Sequence, residues 1–211
     1  MGDQKTAFLS REGDHYFERN GAKPAFASPI VPALQAIGLP GPKRALEIGC
    51  STGAQLNQIV AAFGAEGWGI EPSQKAVDDG MKAFPHLHLI QGTAEQLPYT
   101  DGQFDLVLFG GCLYLCDPAD YFAIAYHADR VLAPGGVMVV FDFATDLPHS
   151  NAYRHGDGLR AYKMDFSKMF RWHPRYRLLS RTYYENVEPY TLDPNDQQAA
   201  DILLKSVKAG F

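Results

Sequence analysis

The chain has 211 residues, 46% of them hydrophobic, and it carries a formal net charge of −5. At this length we expect one domain with a full apolar core. The acidic balance disfavours a nucleic-acid partner, because phosphate binding requires a basic face. No apolar run reaches the ~20 residues of a membrane-spanning helix, and the first twenty residues lack the core of a secretory signal. We therefore expect a cytoplasmic protein without a membrane partner, and the oligomeric state stays open.

Residues 1–42 precede the first predicted strand. Residues 1–20 are interpreted as a polar leader. Further on, Ile30, Leu34 and Ile37 fall at helical spacing among several prolines, which predicts a short helix leading into the core.

Strand and helix signals alternate from residue 44 to residue 146. Leu56, Ile59, Val60 and Phe63 form one apolar helix face, and the run from Val137 to Phe143 is typical of a strand buried on both sides. Such alternation predicts a parallel sheet with crossover helices. The predicted strands are 45–47, 67–71, 86–90, 104–109 and 137–143, and the predicted helices are 56–63, 77–84 and 121–132.

The pattern changes after Asp146. Residues 147–174 are rich in aromatic and basic side chains and show no clear period until a short predicted helix at 167–172. The segments 176–185 and 201–208 are predicted to be the last two strands.

A glycine turn flanked by two acids is the most informative motif. An apolar strand ends at Glu47, Gly49 and Gly53 follow, and a second acid, Glu71, ends the next strand. Glycine allows a ligand close to the backbone, and an acid after the second strand can accept both hydroxyls of a ribose. The dinucleotide fingerprint Gly-x-Gly-x-x-Gly is absent, because Ser51 and Ala54 stand where it needs glycine.

The spacing Glu-x-Gly-x-x-x-Gly resembles the first motif of class I S-adenosylmethionine (SAM) methyltransferases. Three further motifs follow in the order of that family: Gly92–Pro98 resembles its adenine loop, Phe104–Phe109 its fourth strand, and Arg130–Gly136 its turn into the fifth strand. Together the motifs cover residues 40–145. Ser51 and Thr93 depart from the family, which often has glycine and aspartate there.

The resemblance implies an α/β fold, a Rossmann-like seven-stranded and mostly parallel sheet with helices on both faces and an antiparallel C-terminal hairpin. It implies a single domain, 1–211. Its expected parts are an N-terminal lid and helix (1–42), a SAM-binding core (43–146), an acceptor-side insertion (147–174) and C-terminal strands (175–211).

The resemblance also implies SAM as the cofactor and a set of residues that contact it. The glycines would approach the methionine portion with Glu47 beneath it, Glu71 would bind the ribose, and the loop at 93–95 would flank the adenine. The expected cofactor-binding residues are Tyr16, Glu47, Gly49, Cys50, Ser51, Gly53, Glu71, Pro72, Thr93, Ala94, Glu95, Phe109 and Gly110.

The sequence gives weaker evidence for the residues that would contact the acceptor. His155 is the first candidate for a catalytic base and His149 the second, because both lie in the aromatic insertion and an ordinary histidine can take a hydroxyl proton. Asp142 and Tyr114 are the further candidates, since a buried acid at the end of the fifth strand can serve as a base and Tyr114 follows the fourth strand, where acceptor contacts are expected.

The predicted function is transfer of a methyl group from SAM to an oxygen or nitrogen of a small-molecule acceptor. No metal is expected, because the cysteines form no zinc motif and Gly110 and Gly111 offer no oxygen ligands. Two alternatives stay open: a nucleotide-dependent oxidoreductase or epimerase on a Rossmann sheet, and a SAM-binding module without catalysis.

Overall fold

The fold is described from a computed structural model that covers residues 4–21, 28–184 and 193–207. Within these ranges seven strands form one sheet in the order β3-β2-β1-β4-β5-β9-β8. The strands β1 to β5 run parallel, and β9 lies antiparallel between β5 and β8. The strands are β1 Arg44–Ile48, β2 Glu66–Glu71, β3 His88–Gln91, β4 Phe104–Gly110, β5 Leu132–Phe143, β8 Tyr176–Tyr184 and β9 Gln198–Lys205.

Helices cover both faces of this sheet. The two hydrophobic clusters divide the strands between them: Leu46 and Ile48 of β1 pack with Ile124 of α6, whereas Ala45 packs with Leu56 of α4. This division follows from the alternation of side chains along each strand. The helices of the core are α3 Ile30–Ile37, α4 Ala54–Phe63, α5 Gln74–Ala83, α6 Tyr121–Val131 and α7 Lys168–Arg171.

The N-terminal leader is helical, which the sequence interpretation did not anticipate. It comprises α1 Gln4–Ala7, a π-helical turn Phe8–Glu12 and α2 Gly13–Asn20. Its polar composition hid the helix, because only Gln4, Phe8, Glu12 and Gly13 are buried and two of these are polar.

Residues 147–174 contain a strand pair that the sequence interpretation also missed. β6 His149–Ala152 pairs antiparallel with β7 Arg160–Lys163 in a sheet of its own. Both strands are four residues long and contain no buried residue, so they lack the apolar alternation that marks a strand with one face in a core. The short helix predicted after residue 167 is present as α7.

The predicted C-terminal hairpin is confirmed with shifted bounds. β8 ends at Tyr184, and the predicted last residue, Glu185, lies outside the described residues. β9 begins three residues before the predicted start and ends at Lys205, while Lys208 lies outside the described residues.

Candidate functional site

A cavity of about 190 Å³ lies where β1, β2 and β4 end, beneath the N-terminal helices. The carboxyl edge of a parallel sheet is where such folds bind ligands. Most of the predicted cofactor-binding residues contribute to its lining, namely Tyr16, Gly49, Ser51, Glu71, Pro72, Thr93, Ala94, Glu95 and Gly110.

The turn between β1 and α4 forms the floor of the cavity. Gly49 and Ser51 both have positive φ values, 73° and 49°. The backbone N–H groups of Gly49 and Cys50 donate to the Ile70 carbonyl at 2.9 and 3.3 Å, which ties the turn to β2. A β-carbon at Gly49 would stand 2.8 Å from the Cys112 sulfur. Glycine is therefore required here by its protein neighbour as well as by its φ value.

Glu47 is a buried carboxyl directly behind the cavity wall. It is 2% exposed, and its Oε1 accepts a hydrogen bond from Gln55 Nε2 at 2.7 Å. Among the described residues, no group hydrogen-bonds to its Oε2. Burial raises the pKa of Glu47 to about 8. Gly110 lines the cavity in front of it, and a β-carbon there would stand only 2.5 Å from Glu47 Oε1.

Glu71 is held at the end of β2 by the two turns that flank it. Its Oε2 accepts the N–H of Ser51 at 2.9 Å, and its Oε1 accepts the N–H of Ser73 at 3.0 Å. Burial raises the pKa of Glu71, and these two hydrogen bonds oppose the shift. Each carboxylate oxygen keeps a further lone pair, so both oxygens can still accept a hydroxyl.

The loop after β3 closes one end of the cavity. The Thr93 hydroxyl donates to Glu95 Oε1 at 2.6 Å, and Ala94 is buried. Lys5 of α1 lies 3.5 Å from Glu95 Oε1 and 3.6 Å from Asp120 Oδ2, so the lid, this loop and the start of α6 meet here. The sequence interpretation missed both Lys5 and Asp120.

Gln4 ties the N-terminal helical segment to two other parts of the chain. It is 2% exposed. Its backbone N–H donates to Asp117 Oδ2 at 3.1 Å, and its Nε2 donates to the Leu115 carbonyl at 2.7 Å. Its Oε1 accepts the N–H of Arg160, the first residue of β7, at 2.6 Å. One buried amide thus joins α1, the segment after β4 and the β6–β7 hairpin.

A second attachment lies at the junction of the π-helical turn and α2. Glu12 is buried and pairs with Arg19, while the Tyr153 hydroxyl donates to Glu12 Oε1 at 3.1 Å. Gly13 is packed so tightly that a β-carbon would stand 3.1 Å from the backbone nitrogen of Ser73, beside Glu71. Neither Gln4 nor Glu12 had a sequence signal, because a polar residue in a polar leader reads as exposed.

The structure does not bring the two predicted histidine bases to the cavity lining. His149 begins β6, and its ring nitrogens lie 2.7 Å from the Leu147 carbonyl and 3.0 Å from Asn195 Oδ1. His155 lies in the exposed loop between β6 and β7, with its ring 5.5 Å from that of Tyr153. Their role as base stays a prediction that this arrangement does not favour.

Asp142 and Tyr114 lie behind the cavity rather than in its lining. The Asp142 carboxylate accepts backbone N–H groups of Leu113 at 2.8 Å and Phe143 at 2.7 Å, which fixes the turn after β4. Burial raises the pKa of Asp142 to about 7. Burial, together with the hydroxyl of Tyr16, raises the pKa of Tyr114 far above its ordinary value, so Tyr114 stays a neutral phenol.

Three residues predicted to bind the cofactor are packing residues beside the cavity. Cys50 is 4% exposed and Phe109 is fully buried, with its ring 5.9 Å from that of Phe170. Gly53 has a φ of 76°, and a β-carbon there would stand 2.9 Å from Leu87. None of the three contributes to the lining, because the strand and turn direct them into the core.

Within the described ranges, no group of three or more His, Cys, Asp and Glu side chains could hold a metal ion. In the same part of the chain, no helix is long and apolar enough to cross a bilayer.

Known proteins resemble this chain in both sequence and fold. Residues 45–136 match the family model of a methyltransferase domain. An uncharacterized methyltransferase of Synechocystis sp. is 36% identical over 93 residues, which is 44% of this chain and 44% of that protein. A demethylmenaquinone methyltransferase of Staphylococcus haemolyticus is 28% identical over 173 residues, covering 80% of this chain and 68% of that protein.

A solved structure extends the likeness to nearly the whole chain. The 1,6-didemethyltoxoflavin-N1-methyltransferase of Burkholderia thailandensis, which holds 1,6-didemethyltoxoflavin and S-adenosylhomocysteine, superposes with a TM-score of 0.72. The match covers 98% of this chain and 91% of that one. At 14% identity it shows that the two proteins share a fold.

Residues 45–136 are thus a methyltransferase domain, and the matches together with the strand order support a class I SAM-dependent methyltransferase, an enzyme that uses SAM as its cofactor. The fold, the enzyme class and the cofactor predicted from the sequence are thereby confirmed.

Proposed function

We propose that the cavity at the ends of β1, β2 and β4 is the SAM site, and that the enzyme methylates an oxygen or nitrogen of a small-molecule acceptor. The observation that carries this proposal is Glu47, a buried carboxyl behind a glycine of the cavity wall, one of whose oxygens has no hydrogen-bond partner in the described part of the chain. This arrangement suits the α-ammonium group of SAM, reached directly or through a water.

The rest of the cavity fits the other parts of the cofactor. Glu71 offers two carboxylate oxygens to the ribose hydroxyls, with Ser51 and Ser73 holding it in place. Thr93, Ala94 and Glu95 would flank the adenine. When bound, SAM supplies an activated methyl group on a sulfonium. The protein's task is then to orient the two reactants and exclude water, and orientation can contribute up to ~7–11 kcal/mol.

The acceptor would enter where Tyr16, Cys112 and Leu115 line the cavity, under the lid. In this proposal residues 1–42 act as lid and leading helix, 43–146 bind SAM and 147–174 border the acceptor. The attachment of α1 and the π-helical turn to the β6–β7 hairpin through Gln4 and Glu12 supports that division. The Staphylococcus and Burkholderia proteins are both named for small organic acceptors, which supports the same class here.

Calorimetric titration tests the cofactor assignment. We expect SAM and S-adenosylhomocysteine to bind the purified protein and NAD not to bind, since the cavity lacks a dinucleotide fingerprint. Binding of NAD in place of both sulfur compounds would overturn the assignment. Turnover of labelled SAM against a panel of hydroxyl- and amine-bearing small molecules then identifies the acceptor.

The catalytic base is tested by single substitutions. If His155 or His149 takes the acceptor proton, its replacement by alanine lowers turnover by ~10²–10⁴ and leaves SAM affinity nearly intact. His86→Ala is the matched control, because His86 contacts Asn57 on the opposite side of the sheet from the hairpin. Full turnover in both variants would leave Asp142 or Tyr114 as the base, or an acceptor amine that arrives neutral and needs no base.

A further inference from the structure

Glu47 is a buried acid that has no positively charged partner among the residues that the structure describes. It lies on the face of β1 that α4 covers, and one of its oxygens accepts from Gln55. The groups that act on its charge are Gln55, the backbone N–H of Leu56 and the carboxyl of Glu71. None of these is a cation, and Glu71 opposes ionisation.

A carboxylate in such a place is strongly disfavoured. Moving an unpaired ionised group out of water is so unfavourable that the group keeps its proton instead. The two thiols nearby, Cys50 in the turn after β1 and Cys112 after β4, have pKa values raised well above ordinary by burial. Both thiols are uncharged at neutral pH, so they supply no positive charge that would balance an ionised Glu47.

We propose that Glu47 is protonated in the free enzyme and releases its proton to solvent when the α-ammonium group of the cofactor binds. The inference rests on the proposed function, because it needs SAM in this cavity. The ammonium supplies the opposite charge that the protein does not, so the bound state favours the carboxylate. The carboxyl O–H bond breaks, the electron pair stays on Glu47, and no bond of the cofactor changes.

The proposal sets the direction of the pH dependence. Glu47 binds a proton before the ligand arrives and none afterwards, so cofactor affinity rises with pH by about tenfold per unit below the pKa of about 8 in the free protein. Above that pH the gain ends. Affinity falls once the ligand's own α-ammonium loses its proton, because the positive charge that favours the Glu47 carboxylate is then gone.

The test is calorimetric titration of the full chain with S-adenosylhomocysteine at pH 6.5, in two buffers that differ in ionisation enthalpy. The difference in observed heat gives the number of protons released, and we expect about one. 5′-Methylthioadenosine is the matched ligand, because it keeps the adenosine and lacks the amino-acid portion. It should bind with little or no release, and any release it shows reports Glu71 rather than Glu47.

Glu47→Gln is the matched variant, since it keeps the size of the side chain and cannot ionise. Its complex with S-adenosylhomocysteine should form without proton release and with an affinity that does not rise between pH 6 and pH 7. Equal release by the two ligands in the wild-type protein, or an unchanged release in the variant, overturns the proposal. If the variant fails to fold, the comparison of the two ligands decides alone. If neither ligand binds, the proposed function itself is wrong.

Discussion

Gly110→Ala tests whether the space between Gly110 and Glu47 is part of the cofactor site. The φ value of Gly110 is not in the left-handed region, so alanine fits the backbone. Its new methyl group would stand 2.5 Å from Glu47 Oε1 and 3.0 Å from Gln55 Nε2, so these side chains must move. The hydrogen bond of 2.7 Å that orients the carboxyl would be lost.

The size of the effect follows from the bond that Glu47 would make to the ligand. A hydrogen bond to a charged group contributes ~1.5–3 kcal/mol, so misplacing the carboxylate should weaken S-adenosylhomocysteine binding by ~10–150-fold. The affinity for 5′-methylthioadenosine, which lacks the ammonium, should change by less than about threefold because less than ~0.7 kcal/mol is at stake. Calorimetric titration measures both constants, and a thermal melt shows that the variant is folded.

Gly92→Ala is the matched control for crowding at the cavity wall. A methyl group there would stand 2.6 Å from the end of the Ile70 side chain, at the opposite end of the cavity from Glu47. It should weaken both ligands alike. Wild-type affinity of Gly110→Ala for S-adenosylhomocysteine, or an equal loss for both ligands, would refute the reasoning.

The remaining predictions concern the ribose acid, the glycine turn and the lid. Glu71→Ala should weaken SAM and 5′-methylthioadenosine alike, by ~1.5–3 kcal/mol for each charged hydrogen bond lost, and unchanged affinity in titration would remove it from the site. Gly49→Val should lower the melting temperature as well as SAM binding, because its side chain meets the Cys112 sulfur in a backbone with φ of 73°; a melt like that of the wild type would contradict this. Gln4→Ala should leave the fold intact and speed release of S-adenosylhomocysteine in stopped-flow measurements, since it frees the lid from Arg160; an unchanged release rate would show that the lid does not gate the cavity.

The cofactor half of the cavity was predictable because its determinants are local in the sequence. Glu47 is the penultimate residue of β1 and Glu71 is the last residue of β2, and parallel neighbouring strands bring their carboxyl ends to one edge of a sheet. Order along the chain therefore implied proximity in space. The role of Gly49 was only half predicted, because its contact with Cys112 joins turns that lie far apart in the chain.

The contacts of the N-terminal segment and of residues 147–174 could not be predicted from local sequence patterns. Gln4 contacts residues more than a hundred positions away, and no local pattern marks such a partner. His155 looked suited to catalysis by residue type and by its aromatic surroundings, yet the hairpin exposes it at a loop.

By itself the sequence determined the class of fold, the cofactor and the two acids near the strand ends, because the hydrophobic period and the short motifs that indicate them each extend over only a few neighbouring residues. The tertiary structure alone decided which polar residues are buried, since burial depends on segments that meet only after folding. Gln4, Glu12 and the unpartnered oxygen of Glu47 belong to that second group. The partners of Gln4 and Glu12 come from α2, from the segment after β4 and from the β6–β7 hairpin.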